Sequence, residues 1–157
     1  MPALPEPAPA KSNPSVVSSL SEIRKLRNVL QGVDFFTRLK LEELETLLEH
    51  LKKRSVPRGT LIIQQGDRNA DAFYMISTGR CTVWKKKGTS MEKVDELGPE
   101  TYFGERALIT EDPRAATIRA EEPTELYVLY RDDFKNLLLK NPSIAQELKF
   151  HMAQYRR

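Results

Sequence analysis

The sequence predicts an α+β chain in which an antiparallel, jelly-roll-like β-roll is flanked by helices on both sides. Two observations carry this. Apolar residues recur at helical spacing before Pro57 and again after Tyr130. Between them lie short runs rich in Ile, Val, Thr and aromatics, broken by turn residues about every ten positions, the signature of an antiparallel sandwich or roll.

The first five of the ten prolines fall at Pro2, Pro5, Pro7, Pro9 and Pro14, among Ala, Ser and Asn. A segment with no apolar face cannot recover its ordering entropy, so residues 1–18 read as a disordered Pro-rich leader or linker, and residues 19–157 as one domain. Ser19-x-x-Glu22 is a capping-box pattern, followed by Leu20, Ile23, Leu26 and Leu30 at helical spacing, with Gly32 as the stop. A second helix starts near Leu41, with Leu41, Leu44, Leu47, Leu48 and Leu51 on one stripe. Glu42, Glu43 and Glu45 favour its positive N-terminus. Strands are expected at 60–65, 71–77, 80–87, 90–97, 116–120 and 125–130, with turns at Pro57-Arg58-Gly59, Gly66-Asp67, Thr78-Gly79, Gly88 and Gly98-Pro99. Phe134, Leu137 and Leu138 then mark a helix, and Asn141-Pro142 opens a last one carrying Ile144, Leu148, Met152 and Tyr155. No internal repeat is evident.

The chain of 157 residues carries 25 Lys+Arg against 22 Asp+Glu, a formal charge of +3. The basic runs Lys52-Lys53-Arg54, Lys85-Lys86-Lys87 and Arg156-Arg157 are short and scattered among carboxylates, which argues against a nucleic-acid-binding stripe. Lys85-Lys86-Lys87 reads as a solvated strand edge that discourages association. A single cysteine, Cys81, excludes an internal disulfide framework. No apolar run approaches the roughly 20 residues of a membrane span, and no signal peptide is evident. The expected location is cytoplasmic. His50 and His151 have no cysteine or paired carboxylate at ligand spacing, so no metal site is expected. No Ser/His/Asp, Cys/His or paired-acid arrangement suggests hydrolysis. The expectation is a receptor module, not an enzyme, with no resident cofactor.

The chemistry lies in the long segment between the strands ending near Leu97 and starting near Ala116. Gly104 permits close backbone approach. Glu105–Leu108 can form one helical turn whose N–H groups attract negative charge. Arg114 offers a guanidinium fork matched to two phosphate oxygens, and Ala115 and Ala116 leave their N–H groups unobstructed. Alone, Arg114 would read as an ordinary surface arginine and Glu105 as a solvated loop acid. Together they describe a nucleotide with a free 2′-OH: the guanidinium meets a phosphate, and the carboxylate accepts from a ribose hydroxyl. The segment is expected to lie outside the core. Gly66 and Gly79 read as turn-makers.

Phe103-Gly104-Glu105-x-Ala107-Leu108, five residues, then Arg114-Ala115-Ala116-Thr117 resembles the phosphate-binding cassette of eukaryotic cyclic-nucleotide-binding domains, most closely those of cAMP-dependent protein kinase regulatory subunits. The resemblance extends upstream through Gly66-Asp67-x-x-x-Asp71-x-Phe73-Tyr74-x-Ile76-x-x-Gly79 and Leu97-Gly98-Pro99, and downstream to Gln154-Tyr155. It implies a β-roll with an N-terminal helical bundle and C-terminal hinge and lid helices. It also implies that Glu105 binds the ribose 2′-OH and Arg114 the exocyclic phosphate oxygens. The N–H groups of Ala107 and Ala115 would complete the phosphate cradle, Gly104 would lie against the ribose, and Tyr155 would stack on the base. Phe103, Arg106 and Ala116 are counted with the site as members of the cassette. The hinge after Tyr130 would refold over the ligand, a population shift toward the closed state.

Two departures bear on the ligand. Arg106 stands where kinase-A-type domains often carry an aliphatic residue, and a basic residue there is more familiar from cGMP-dependent kinases. Conversely, Ala115 stands where cGMP-selective sites usually place a Thr or Ser hydroxyl. Without it, the guanine amino group loses a buried partner at a cost of about 1–3 kcal/mol. The favoured ligand is cAMP, and the implied partner is an effector such as a protein kinase catalytic domain. The alternatives are a cGMP-selective regulatory domain and a ligand-free interaction domain of the same fold. No kinase catalytic loop, channel span, inhibitor segment or DNA-reading helix is recognised. Arg24-Lys25-Leu26-Arg27 only partly resembles an inhibitor segment and falls within the first helix.

Overall fold

A computed structural model of the chain describes residues 20–33, 36, 37, 39–68, 71–108 and 113–146. Two helices, α1 (Leu20–Gln31) and α2 (Leu41–Glu49), precede eight strands: β1 (Lys52–Val56), β2 (Leu61–Ile63), β3 (Ala72–Thr78), β4 (Cys81–Lys87), β5 (Ser90–Leu97), β6 (Tyr102–Phe103), β7 (Thr117–Ala120) and β8 (Thr124–Tyr130). A 3-10 turn at Glu105–Leu108 follows β6, and α3 (Arg131–Lys140) follows β8. Residues 142–146 are again helical. The strands form two four-stranded antiparallel sheets, ordered β1-β8-β3-β6 and β2-β7-β4-β5. This is the roll between helices that the sequence predicts.

Strand alternation builds two cores. Tyr74 and Ile76 of β3, with Leu126 and Val128 of β8, point into the roll against Ile62, Ile63, Cys81, Phe103, Ile118 and Ala120. The alternate residues Phe73, Met75, Tyr127 and Leu129 face the helices and pack with Leu30, Phe36, Leu44, Leu47, Phe134 and Leu137. The central strands β3 and β8 of the first sheet are therefore buried on both faces, and the apolar stretch 72–76 is buried throughout. Cys81 is buried, which places the thiol inside the roll, and burial raises its pKa to about 11.

Several expectations need correction. Leu41 begins α2 but lies off the buried stripe, 52 % exposed. The α2 N-terminus is capped instead by Glu43, whose carboxylate accepts the Lys40 N–H at 2.8 Å. Lys52-Lys53-Arg54 is part of edge strand β1, paired with β8. Lys85–Lys87 lies in β4, paired on one side with β5, and β5 is the true edge of that sheet. Asn141 does open the next helix, its carbonyl accepting from the Ile144 and Ala145 N–H groups at 3.0 and 3.2 Å, while its side-chain amide donates back to the Leu137 carbonyl at 2.8 Å. The 1–18 leader, Ser19, Leu148, His151, Met152, Gln154 and Tyr155 lie outside the described residues. Among the described residues, no helix is long and apolar enough to cross a membrane.

Candidate functional site

β3 carries β6 at its edge through the Tyr74↔Phe103 and Met75↔Tyr102 pairs. The Tyr74 and Phe103 rings stack at 5.1 Å with an interplanar angle of 16°. This packing fixes where the chain leaves the sheet at Gly104. There φ is +80°, and an added Cβ would lie 2.7 Å from Arg114 Nη1 and 3.1 Å from the Ala72 carbonyl. Glycine meets both demands, the left-handed backbone and the missing side chain.

The turn that follows is the single helical turn expected at Glu105–Leu108, in 3-10 form. Its Ala107 N–H donates to the Gly104 carbonyl at 3.0 Å. That N–H is thus engaged within the turn. Ala107 and Leu108 are buried, and Leu108 belongs to the core shared with the helices. The cassette is therefore not wholly outside the core: its downstream end is anchored in it. A second anchor was not foreseen. Arg131, the first residue of α3, donates from Nε to the Ala107 carbonyl at 2.6 Å and from its backbone N–H to the Asp71 carbonyl at 2.7 Å.

Across the concavity stands Arg114. Its backbone is held on the 64–67 turn from both sides, its N–H donating to the Asp67 carbonyl at 3.0 Å and its carbonyl accepting from Gly66 N–H at 2.8 Å. Its Nη2 donates to the Ala72 carbonyl at 2.8 Å, with Nη1 at 3.5 Å from the Gly104 carbonyl. Carbonyls occupy the guanidinium, and it makes no ion pair among the described residues. Burial lowers the Arg114 pKa, while the charges of Tyr74, Asp71 and Asp67 oppose that shift. A half-buried guanidinium without a paired carboxylate is suited to an incoming anion.

A concavity of about 180 Å³ lies between these elements, lined in part by Gly104, Glu105, Arg106, Ala107 and the stretch Arg114–Ala116. The structure thus gathers seven of the nine residues singled out from sequence. Phe103, buried under Tyr74, positions the site from behind. Tyr155 lies outside the described residues. Ala115 and Ala116 precede β7, and their N–H groups make no hydrogen bond among the described residues, leaving them available. Ile63 and Ile118 add an apolar wall that sequence reading assigned only to strands. Among the described residues, no group of three or more His, Cys, Asp or Glu could hold a metal ion.

Fold and site together define a β-roll in which a turn, an acid and a half-buried arginine line one small concavity. Residues 53–141 match the model of the cyclic nucleotide-binding domain, and the chain belongs to that family. It is 32 % identical over 80 % of its length to the cyclic AMP receptor protein of Thermus thermophilus, covering 58 % of that protein. It is 38 % identical over 77 % of its length to the cGMP-dependent protein kinase, isozyme 1, of Drosophila melanogaster, covering 16 % of it. The fold superimposes with a TM-score of 0.68 and 26 % identity on the regulatory domain of Toxoplasma gondii PKA with cAMP, over 77 % of this chain and 46 % of that one. The chain therefore spans less than two thirds of each of these relatives. It carries the cyclic-nucleotide-binding regulatory module they share.

Proposed function

We propose that this chain is a cAMP receptor module whose C-terminal helices close over the ligand and so regulate an effector, most plainly a protein kinase. The observation that carries the reading is Arg114. It is half-buried, unpaired by any carboxylate among the described residues, and lines one concavity with Glu105. In this reading Arg114 binds the exocyclic phosphate oxygens and the Ala115 N–H donates to them. Glu105 accepts from the ribose 2′-OH, and Gly104 leaves room for the sugar. The Ala107 N–H joins by sharing its bond to Gly104, or the turn opens on binding. Arg106 is an exposed rim residue, and Tyr155 is the proposed base cap.

Binding couples to the helices because the cassette already touches them. The Ala107 carbonyl receives Arg131 of α3, and Leu108 packs in the core with Phe134 and Leu137. A ligand that draws the 3-10 turn inward moves the groups on which α3 rests. Its effect is limited to its extra contacts in the closed state.

Ala115 supports cAMP, since it offers no hydroxyl to a guanine amino group. The similarity to a cGMP-dependent kinase, with Arg106 in the cassette, favours cGMP as the second reading. Calorimetry of the purified chain with each nucleotide separately decides. Tighter binding of cAMP is expected. Tighter cGMP binding overturns the choice of ligand, and binding of neither overturns the receptor reading.

A further inference from the structure

The outer face of the second sheet carries a groove that the nucleotide pocket does not use. It has a volume of about 740 Å³ and crosses β2, β7, β4 and β5, with Leu61, Trp84 and Met91 as its apolar part and Lys86 and Arg119 as its charges. No carboxylate lines it, although the chain has 22 acidic residues. Arg119 is paired with Glu121, so the uncompensated charge of the groove is the Lys86 ammonium.

The groove is built rather than incidental. The Trp84 indole N–H donates to Thr82 Oγ1 at 2.8 Å, and that hydroxyl donates to Glu121 at 2.5 Å. The same Glu121 oxygen accepts from Arg119 Nε at 2.7 Å, and the Arg119 guanidinium lies 5.1 Å from the Trp84 ring centroid. These contacts close a ring that fixes the plane of the indole and the position of the guanidinium. The rim is fixed as well. Gln65 accepts the Lys86 backbone N–H at 2.7 Å with its side chain, and its own N–H donates to Thr117 Oγ1 at 2.9 Å. Only the Lys86 ammonium is left without an ion pair among the described residues. A rigid tryptophan is the residue type that most often anchors an interaction hot spot, and the Lys86 ammonium beside it is free to meet an acid.

We infer that this face docks a short acidic segment of a partner protein, with an apolar side chain against Trp84 and a carboxylate on Lys86. Charge complementarity selects the acidic occupant, and the shape selects an extended one. The groove lies open across four strands instead of enclosing a small molecule, and pockets for small ligands bury most of the ligand surface. The groove shares no lining residue with the nucleotide pocket, so the inference does not rest on the nucleotide reading.

Trp84 is the only tryptophan, so its fluorescence reports directly on this face. The test pans a phage-displayed random octapeptide library on the full chain and titrates the enriched peptides against Trp84 emission, in the parent and in Lys86→Glu. The expected result is enrichment of acidic sequences bearing an apolar residue. These should change the emission and bind Lys86→Glu at least about tenfold more weakly, while the variant keeps its cAMP affinity. Enrichment without acidic bias, equal binding to Lys86→Glu, or unmoved emission overturns the inference. So does a homodimer by sedimentation that Lys86→Glu dissolves, which would make a second copy the occupant.

Discussion

Gly104 and Arg114 approach each other so closely that a Cβ at position 104 would lie 2.7 Å from Arg114 Nη1. The glycine is required by the arginine, and the arginine holds its place through the Ala72 carbonyl at 2.8 Å. The two cassette halves, ten residues apart in sequence, meet here.

Gly104→Ala therefore strains the site twice. The left-handed backbone at φ +80° costs an L side chain about 1–2 kcal/mol, and the methyl displaces the guanidinium. We expect thermal unfolding to fall by that amount and cAMP affinity to drop by more than about tenfold, beyond 1.4 kcal/mol. Calorimetry and a melting curve measure the two losses separately. Parent-like affinity would show that the Arg114 position is not needed for the ligand.

Arg114→Lys keeps the charge and removes the fork. A lysine can reach one carbonyl or one phosphate oxygen but not two in parallel. We expect cAMP binding to weaken by about 1.5–3 kcal/mol, the range for hydrogen bonds to charged groups. The loss of stability should be smaller, since the backbone bonds of residue 114 to the 64–67 turn remain. Unchanged affinity would remove Arg114 from the phosphate.

Glu105→Gln preserves shape and an acceptor but loses the charge-assisted bond to the ribose. The parent should bind 2′-deoxy-cAMP poorly, and the substitution should barely change that weak binding while it clearly weakens cAMP. Equal losses for both ligands would break the pairing of Glu105 with the 2′-OH.

What the sequence revealed of this molecule follows from where its information resides. Helical periodicity made α1 and the inward stripe of α2 legible, whereas β3, β4, β5 and β8 were legible as runs set between turn residues, β5 without burying a single residue. β1 was not, because edge strand Lys52–Val56 buries only Val56 and presents a charge run with no alternation. β6, two residues long, is too short to show a period. Leu41 misled because composition cannot tell the first helical residue from one turned inward. Glu105 and Arg114 stood out because their chemistry is in their side chains. The partners that hold them, the carbonyls of Ala72, Gly104 and Ala107, are backbone atoms with no signature in residue identity. Arg131, which grips one of those carbonyls, looked like any helix-start residue.

Ala115 offers the most discriminating change. It is exposed at the cassette rim and lines the same concavity as Arg114, so a threonine there adds a hydroxyl without disturbing the core. If a guanine amino group lies within its reach, Ala115→Thr should strengthen cGMP binding by about 1 kcal/mol, the net worth of a satisfied hydrogen bond, and leave cAMP nearly unchanged. The backbone N–H of residue 115 is retained, so the phosphate contact survives, and a general loss for both nucleotides is not expected. Titrating parent and variant with both ligands isolates the base term as the difference of differences. A gain confined to cGMP assigns residue 115 to base selection. An equal change for both nucleotides, or none for cGMP, places the selecting group elsewhere in the pocket and removes the argument from Ala115 for cAMP.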